Sequence, residues 1–248
     1  MSIMLQNLRA LVYQQQFDVL ALAAKCYYLE GGDLSALLLQ GLAHAHLGEH
    51  EQARVLLDQV QQRRHELNFE AQVDLGAALL LLGQNAQADL LLRAAVRQMP
   101  QQLPQQAYAR AHLAWLAQQN GRTDEALEGY RQAFAHVPGM VMVWSSLVRL
   151  LLSLRQPGEA QEVLEHAQSV FQEMQAQLDE PVAQQQKAGL DLLQWEIWCA
   201  TEQYAAAESW LSERVADQDE AAVFRQALIR SRQIGVMQRL PARSMSVH

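Results

Sequence analysis

The sequence predicts an all-α protein: a solenoid of about six helix–turn–helix hairpins closed by a C-terminal capping helix. Three observations predict it. Glycine (12) and proline (6) are scarce among 248 residues, half of which are hydrophobic. Glutamine, a good helix former that wets a surface without charging it, fills about one position in seven. Short turns recur, each followed by an alanine at the same offset and flanked by apolar residues at helical spacing.

The turns align as Gly48-Glu-His-Glu-Gln-Ala53, Gly83-Gln-Asn-Ala-Gln-Ala88, Gly121-Arg-Thr-Asp-Glu-Ala126 and Arg155-Gln-Pro-Gly-Glu-Ala160. An apolar helical pattern precedes each one, as in Leu37-Gly41-Leu42 and Leu75-Gly76-Leu79. Another follows, as in Leu56-Leu57-Val60 and Leu127-Tyr130-Ala133. Two weaker copies flank these, anchored at Leu20 and Ala207, so that the anchors at 20, 53, 88, 126, 160 and 207 lie 33, 35, 38, 34 and 47 apart. A small residue early in the second helix lets its backbone approach the first. Glycine at the turn supplies the left-handed cap, and Pro100 and Pro138 end their second helices. No single hairpin buries its own apolar face, so neighbours must stack.

The hairpins are expected at about 2–32, 33–67, 68–102, 107–139, 140–178 and 180–216. The long spacing across Ser169–Gly189 predicts a lengthened helix pair meeting near Pro181. An acidic start at Asp217–Glu220 and apolar residues at Ala221, Phe224, Leu228 and Ile229 predict a capping helix over 218–234. Residues 235–248 have no periodicity and are expected to form a flexible basic tail.

Pattern and period resemble the tetratricopeptide repeat family of bacterial type, over about residues 2–216. The family's usual tyrosine in the first helix is His44, Leu79, Ala117 or Leu151 here. The resemblance implies a right-handed superhelix whose first helices line a concave groove. Carried over by position, that groove holds Leu38 and Leu42, then Val73 and Asp74, then Tyr108, His112 and Trp115, then Met142, Ser145 and Arg149. The lysine and asparagine with which one subclass clamps a C-terminal carboxylate are missing: Leu38, Leu42, Val73 and Ala77 stand there instead. The groove therefore reads as apolar with an aromatic–polar middle, suited to an extended apolar peptide or an amphipathic helix. Tyr108, His112 and Trp115 share one helical face and, with Arg149, are residue types that anchor interfaces; alternatively Trp115 packs between adjacent repeats.

The net charge of −8 speaks against a broadly basic nucleic-acid binder. The five arginines Arg225, Arg230, Arg232, Arg239 and Arg243, with no acid among them after residue 220, either complement the acidic array or reach an acidic partner or a second protomer. Cys26 and Cys199 cannot form a disulfide framework or a thiolate zinc site, and both read as buried thiols. His44 and His46 are two apart on one helix and cannot chelate together, and His50 follows the turn, so no metal is expected. No nucleophile motif or phosphate loop is present, so neither a cofactor nor catalysis is expected. The start of the chain lacks an unbroken apolar run, and no stretch is long enough for a membrane span. A soluble, cytoplasmic protein without membrane insertion is expected.

The expected function is that of a non-catalytic adaptor or chaperone-like scaffold that holds a protein segment in its groove. A substrate-docking module serving an enzyme, or a self-assembling scaffold that forms homo-oligomers, are the alternatives. The resemblance adds that partners of such bacterial proteins often belong to secretion, pilus or envelope assembly.

Overall fold

The computed structural model describes residues 3–13, 16–99, 104–137 and 139–214. The expected capping helix at 218–234 and tail at 235–248 lie outside the described residues, as do Pro100 and Pro138. The described residues form twelve α-helices and no strand: α1 (Ile3–Tyr13), α2 (Phe17–Gly31), α3 (Leu34–His46), α4 (His50–Gln62), α5 (Phe69–Leu81), α6 (Asn85–Gln98), α7 (Pro104–Gln119), α8 (Thr123–His136), α9 (Val141–Ser153), α10 (Pro157–Met174), α11 (Glu180–Ala200) and α12 (Tyr204–Arg214).

Each odd-numbered helix packs antiparallel on the even-numbered helix that follows. The turn is the same in the five pairs from α3 to α12. Gly48, Gly83 and Gly121 have φ of 77°, 73° and 71°, and Arg155 and Glu202, at the matching positions of the last two turns, have φ of 60° and 63°. Five residues on, Ala53, Ala88, Ala126, Ala160 and Ala207 are completely buried. A methyl group is all the side chain that fits where the second helix crosses the first. Asp33 and Asn68 start α3 and α5 by accepting the backbone N–H of Ser35 (2.8 Å) and Ala71 (2.9 Å).

Successive odd helices pack side by side: α1 on α3, α3 on α5, α5 on α7, α7 on α9 and α9 on α11. No comparable packing joins successive even helices. They are linked across the stack by exposed ion pairs, Arg93–Glu125 (2.9 Å) and Arg131–Glu159, which contribute little in water. A stack whose odd helices touch while its even helices splay curves with the odd helices inside. That inner row is the face on which a ligand would be met.

The core follows the stack instead of filling a sphere. One buried cluster runs from Leu8 in α1 to Ala109 in α7, a second from Ala111 in α7 to Ile197 in α11, and a small third joins Trp195 to Ala207 and Leu211. Helix α7 belongs to both larger clusters, so its inner face sits at their junction. The lengthened pair expected around Pro181 is present: α10 has 18 residues and α11 has 21, and the exposed stretch Gln172–Gln177 forms their tip. No helix among the described residues is long and apolar enough to cross a membrane.

Candidate functional site

The inner row divides into three stretches. At its N-terminal end the expected groove is filled. Leu38, Leu42 and Val73 are 0%, 3% and 4% exposed, so they are core residues and offer a ligand no surface. Helix α1 packs on α3, and Leu8 (3% exposed) belongs to the same buried cluster as all three. Arg9 reaches past α3 to α5, donating to Glu70 (2.6 Å) and Asp74 (2.8 Å), and Gln105 of α7 donates to the other oxygen of Glu70. Asp74 is therefore already engaged within the chain. The groove reading misplaced these positions because a register within the repeat tells which way a side chain points, not what lies over it.

At the C-terminal end Arg149 is likewise committed. Its guanidinium holds Glu196 of α11 through contacts of 3.0–3.2 Å, bridging two odd helices. It ties repeats together instead of standing free to anchor a partner.

Between these two bridges lies the stretch that keeps accessible surface. Tyr108, His112 and Trp115 on α7, and Met142 and Ser145 on α9, are all partly buried. Tyr108 leans on the first core cluster, and Trp115 and Met142 on the second. Trp115 is thus partly buried against the second cluster and keeps part of its surface exposed. The Ser145 hydroxyl donates to the Met142 carbonyl of its own helix (3.3 Å), which hides one polar group from the surface. Burial, with a smaller contribution from the charge of His46, pushes the His112 imidazole down to about 4. At neutral pH the middle of the row is thus uncharged.

Two contributors were missed by sequence reasoning. His46 stacks on Phe17 of α2 with ring centroids 4.0 Å apart and planes within 8°, and burial lowers its pKa. His46 continues the row Leu38, Leu42, His46 at four-residue spacing, a signal that was available. Phe17 had no such signal, because its partner lies on the next helix pair. His44 pairs with Glu49. Among the described residues no group of three or more His, Cys, Asp or Glu side chains is placed to hold a metal ion. Cys199 is partly buried, but Cys26 is exposed, contrary to its reading as a buried thiol. It falls four residues beyond exposed Leu22, while the inward position in that turn of α2 is taken by Ala24. A separate cleft of about 350 Å³ between α6, α7 and α8 is lined by Arg93, Arg97, Arg110, Glu125 and Glu128. Arg93 is held by Asp89 and Glu125, and Arg110 by Gln132 and Gln106.

Two groups of the inner row give opposite pH dependences. His112 has a folded pKa near 4 against an ordinary 6.5, so between those values the unfolded chain binds a proton that the folded chain refuses. Its contribution to stability is complete above pH 6.5 and is lost as the pH falls towards 4, by on the order of 2–3 kcal/mol. Asp74 has its carboxyl pushed up to about 6 from 3.8, because burial outweighs Arg9. Its folded carboxyl takes a proton first, so acidification from 6 to 4 adds stability. The expected result is a shallow wild-type profile over pH 4–6. His112→Gln should make stability fall as pH rises through that range, and Asp74→Asn should make it rise more steeply. Urea midpoints at half-unit pH steps measure both, and parallel profiles for all three chains would refute the assignment.

No family model and no curated protein sequence matches the chain. Its structure is similar to that of PilW, a widely conserved type IV pilus biogenesis factor, with a TM-score of 0.65 and 16% identity over 91% of this chain and 97% of that one. It is also similar to PilF of Pseudomonas aeruginosa (TM-score 0.62, 14% identity, 90% and 95% covered). A tetratricopeptide repeat protein from Parabacteroides merdae aligns with a TM-score of 0.56 and 15% identity over 92% and 82%. The chain has the tetratricopeptide repeat fold: stacked antiparallel helix pairs with one row of helices inside.

Proposed function

We propose that the chain is a non-catalytic protein-interaction scaffold that binds an apolar or amphipathic peptide segment on its inner helix row, centred on α7 and α9. One observation carries the reading. Tyr108, His112, Trp115 and Met142 form an uncharged, partly exposed aromatic surface on that row, and the charged groups at either end of it are paired within the chain. Aromatic side chains on a rigid frame provide contact area at small entropic cost, which is how stacked repeats gain affinity without chemistry. The unpaired cation that a carboxylate clamp needs is missing from this stretch, since Arg149 serves Glu196. The segment is therefore recognised through its apolar side chains and not through a charged terminus. PilW, a type IV pilus biogenesis factor by its name, shares the fold, and a scaffold role in such an assembly is compatible with this reading.

The test is selection of binders from a random twelve-residue peptide library displayed on phage, with the full chain as bait. Enriched peptides should share spaced apolar or aromatic residues. Trp115→Ala and Tyr108→Ala should each weaken the selected peptides at least tenfold, a loss typical of interface anchors. Both variants should keep the wild-type circular dichroism spectrum. Selected peptides that bind both variants at wild-type strength would sink the proposed site.

A further inference from the structure

Helix α2 is apolar on two opposite sides. Leu20 and Ala24 are completely buried against the stack. On the other side Val19, Leu22 and Leu29 are 47%, 66% and 73% exposed, and Cys26 between them is exposed as well. The other even-numbered helices carry at most one exposed large apolar side chain each among the described residues: Val55 on α4, Leu90 on α6 and Met174 on α10. A helix at the water's edge ordinarily turns a polar face outward. The four exposed residues of α2 stand at 19, 22, 26 and 29, alternately three and four apart. At 3.6 residues per turn they fall within an arc of about 80°, the narrow seam that pairs one helix with another. The edges of the seam are charged. With Val19 and Cys26 at a positions and Leu22 and Leu29 at d positions, Lys25 stands at g and Glu30 at the following e. Both are exposed, and neither makes an ion pair or hydrogen bond with another described residue. Five residues apart, they do not face each other on one helix. When two copies of α2 lie parallel and in register, Lys25 of each meets Glu30 of the other. Antiparallel pairing would set Lys25 beside its own copy.

We propose that this outer face of α2 is a homodimer interface, in which two copies of the chain pair α2 with α2, parallel and in register, through Val19, Leu22, Cys26 and Leu29. Two heptads are too short to hold free peptides together, but α2 is already helical and fixed by its packing on α1 and α3. Association therefore orders no backbone, and burial of the leucines supplies the affinity. The Lys25–Glu30 pairs lie at the rim, where they set direction more than strength. The interface is small, so the dimer is weak and depends on concentration. The inference does not rest on the reading of α7 and α9. Helix α2 belongs to the outer row, and a dimer joined there carries two inner rows, which strengthens its hold on a partner that presents two segments.

The experiment uses the full chain. Sedimentation velocity over a concentration series should show a monomer–dimer equilibrium. Leu22→Glu and Leu29→Glu set carboxylates against their own copies and should each weaken the dimer at least tenfold. Both should keep the circular dichroism spectrum and urea midpoint of wild type, because both positions are exposed. Lys25→Glu alone and Glu30→Lys alone should each weaken the dimer about threefold. An equimolar mixture of the two should recover wild-type strength, since each copy then meets its opposite charge. Direction is read from Cys26. In a parallel pair the two Cys26 side chains stand opposite each other. Diamide, which takes up the two thiol hydrogens, should therefore join the copies by a disulfide in wild type and not in Cys26→Ser. The inference is overturned if wild type stays monomeric throughout the series, or if a dimer persists undiminished in both leucine variants. It is overturned equally if the mixture of charge variants is no stronger than either part, or if diamide fails to join the dimer through Cys26. A lowered urea midpoint in Leu22→Glu would also overturn it, because the seam would then be covered by another part of the same chain.

Discussion

Replacing Gly76 with valine is expected to destabilise the chain by about 3 kcal/mol or more, because the hairpin of α5 and α6 has no room for even one carbon at that point. A Cβ on Gly76 would lie 2.6 Å from Leu92 Cδ2 and 2.7 Å from its Cγ, and Leu92 is completely buried. The leucine cannot swing aside without entering another packed side chain, so the two helices must part. Gly76→Ala should cost less, about 1–2 kcal/mol, through the same contact. The origin is separable by a double-mutant cycle. Leu92→Ala alone opens a cavity and costs about 2–5 kcal/mol. In that background Gly76→Ala should become neutral or stabilising, because its methyl enters the vacated space. Urea unfolding of the four chains measures the coupling. If the two alanine substitutions simply add, the close approach is not what glycine provides.

The same position in successive hairpins shows why this tightness is local. A Cβ on Gly41 would lie 2.8 Å from Leu57 Cδ2, and Gly76 is tighter still. In the following hairpins the position is held by Ala114, Val148 and Trp195. At the α7/α8 pair the close approach has moved to the other helix, where a Cβ on Gly129 would stand 2.9 Å from Ala114 Cβ. From α3 onward the stack thus passes from glycine-tight pairs to pairs with larger side chains at that position. That progression is readable from the register alone, once the buried alanines fix it.

Much else was legible for the same reason. The helix pairs, their turns and the lengthened α10 and α11 all follow from local patterns that repeat, and repetition averages out the ambiguity of any one segment. Arg155 and Glu202 stand at left-handed positions where glycine would be expected, yet the turns were recognisable because Ala160 and Ala207 keep the offset. The site was less legible because its decisive interactions are long-range. Arg9 and Asp74 are 65 residues apart, Arg149 and Glu196 are 47 apart, and nothing local marks either as a pair. Leu38, Leu42 and Val73 were assigned to an open groove because the register within a repeat does not tell how deeply a position is buried. Tyr108, His112 and Trp115 were legible as one face because all three lie within two turns of a single helix.

Tyr130→Ala should be the second severe lesion, costing about 3–5 kcal/mol, the range for emptying a large aromatic site. Tyr130 is completely buried in α8 and is one of the largest such side chains in the described chain. Its hydroxyl donates to Gln118 Oε1 of α7 (3.1 Å) and takes a hydrogen bond from Ser146 of α9, so one residue joins three helices at the junction under the proposed site. Burial still dominates, raising the phenol above its ordinary 10. Volume and hydroxyl can be told apart with Tyr130→Phe, which keeps the ring. Gln118 and Ser146 are partly exposed and can turn to water, so losing the hydroxyl should cost only about 1 kcal/mol. Because stacked repeats share stability mainly with their neighbours, the alanine lesion should appear first as faster amide exchange in α7–α10, with α3–α5 affected later. Phenylalanine as damaging as alanine would transfer the role from packing to the hydrogen-bonded link. Loss of selected-peptide binding in Tyr130→Ala, with binding kept in Tyr130→Phe, would show that the surface made by Tyr108, His112 and Trp115 is held in shape from beneath by this one ring.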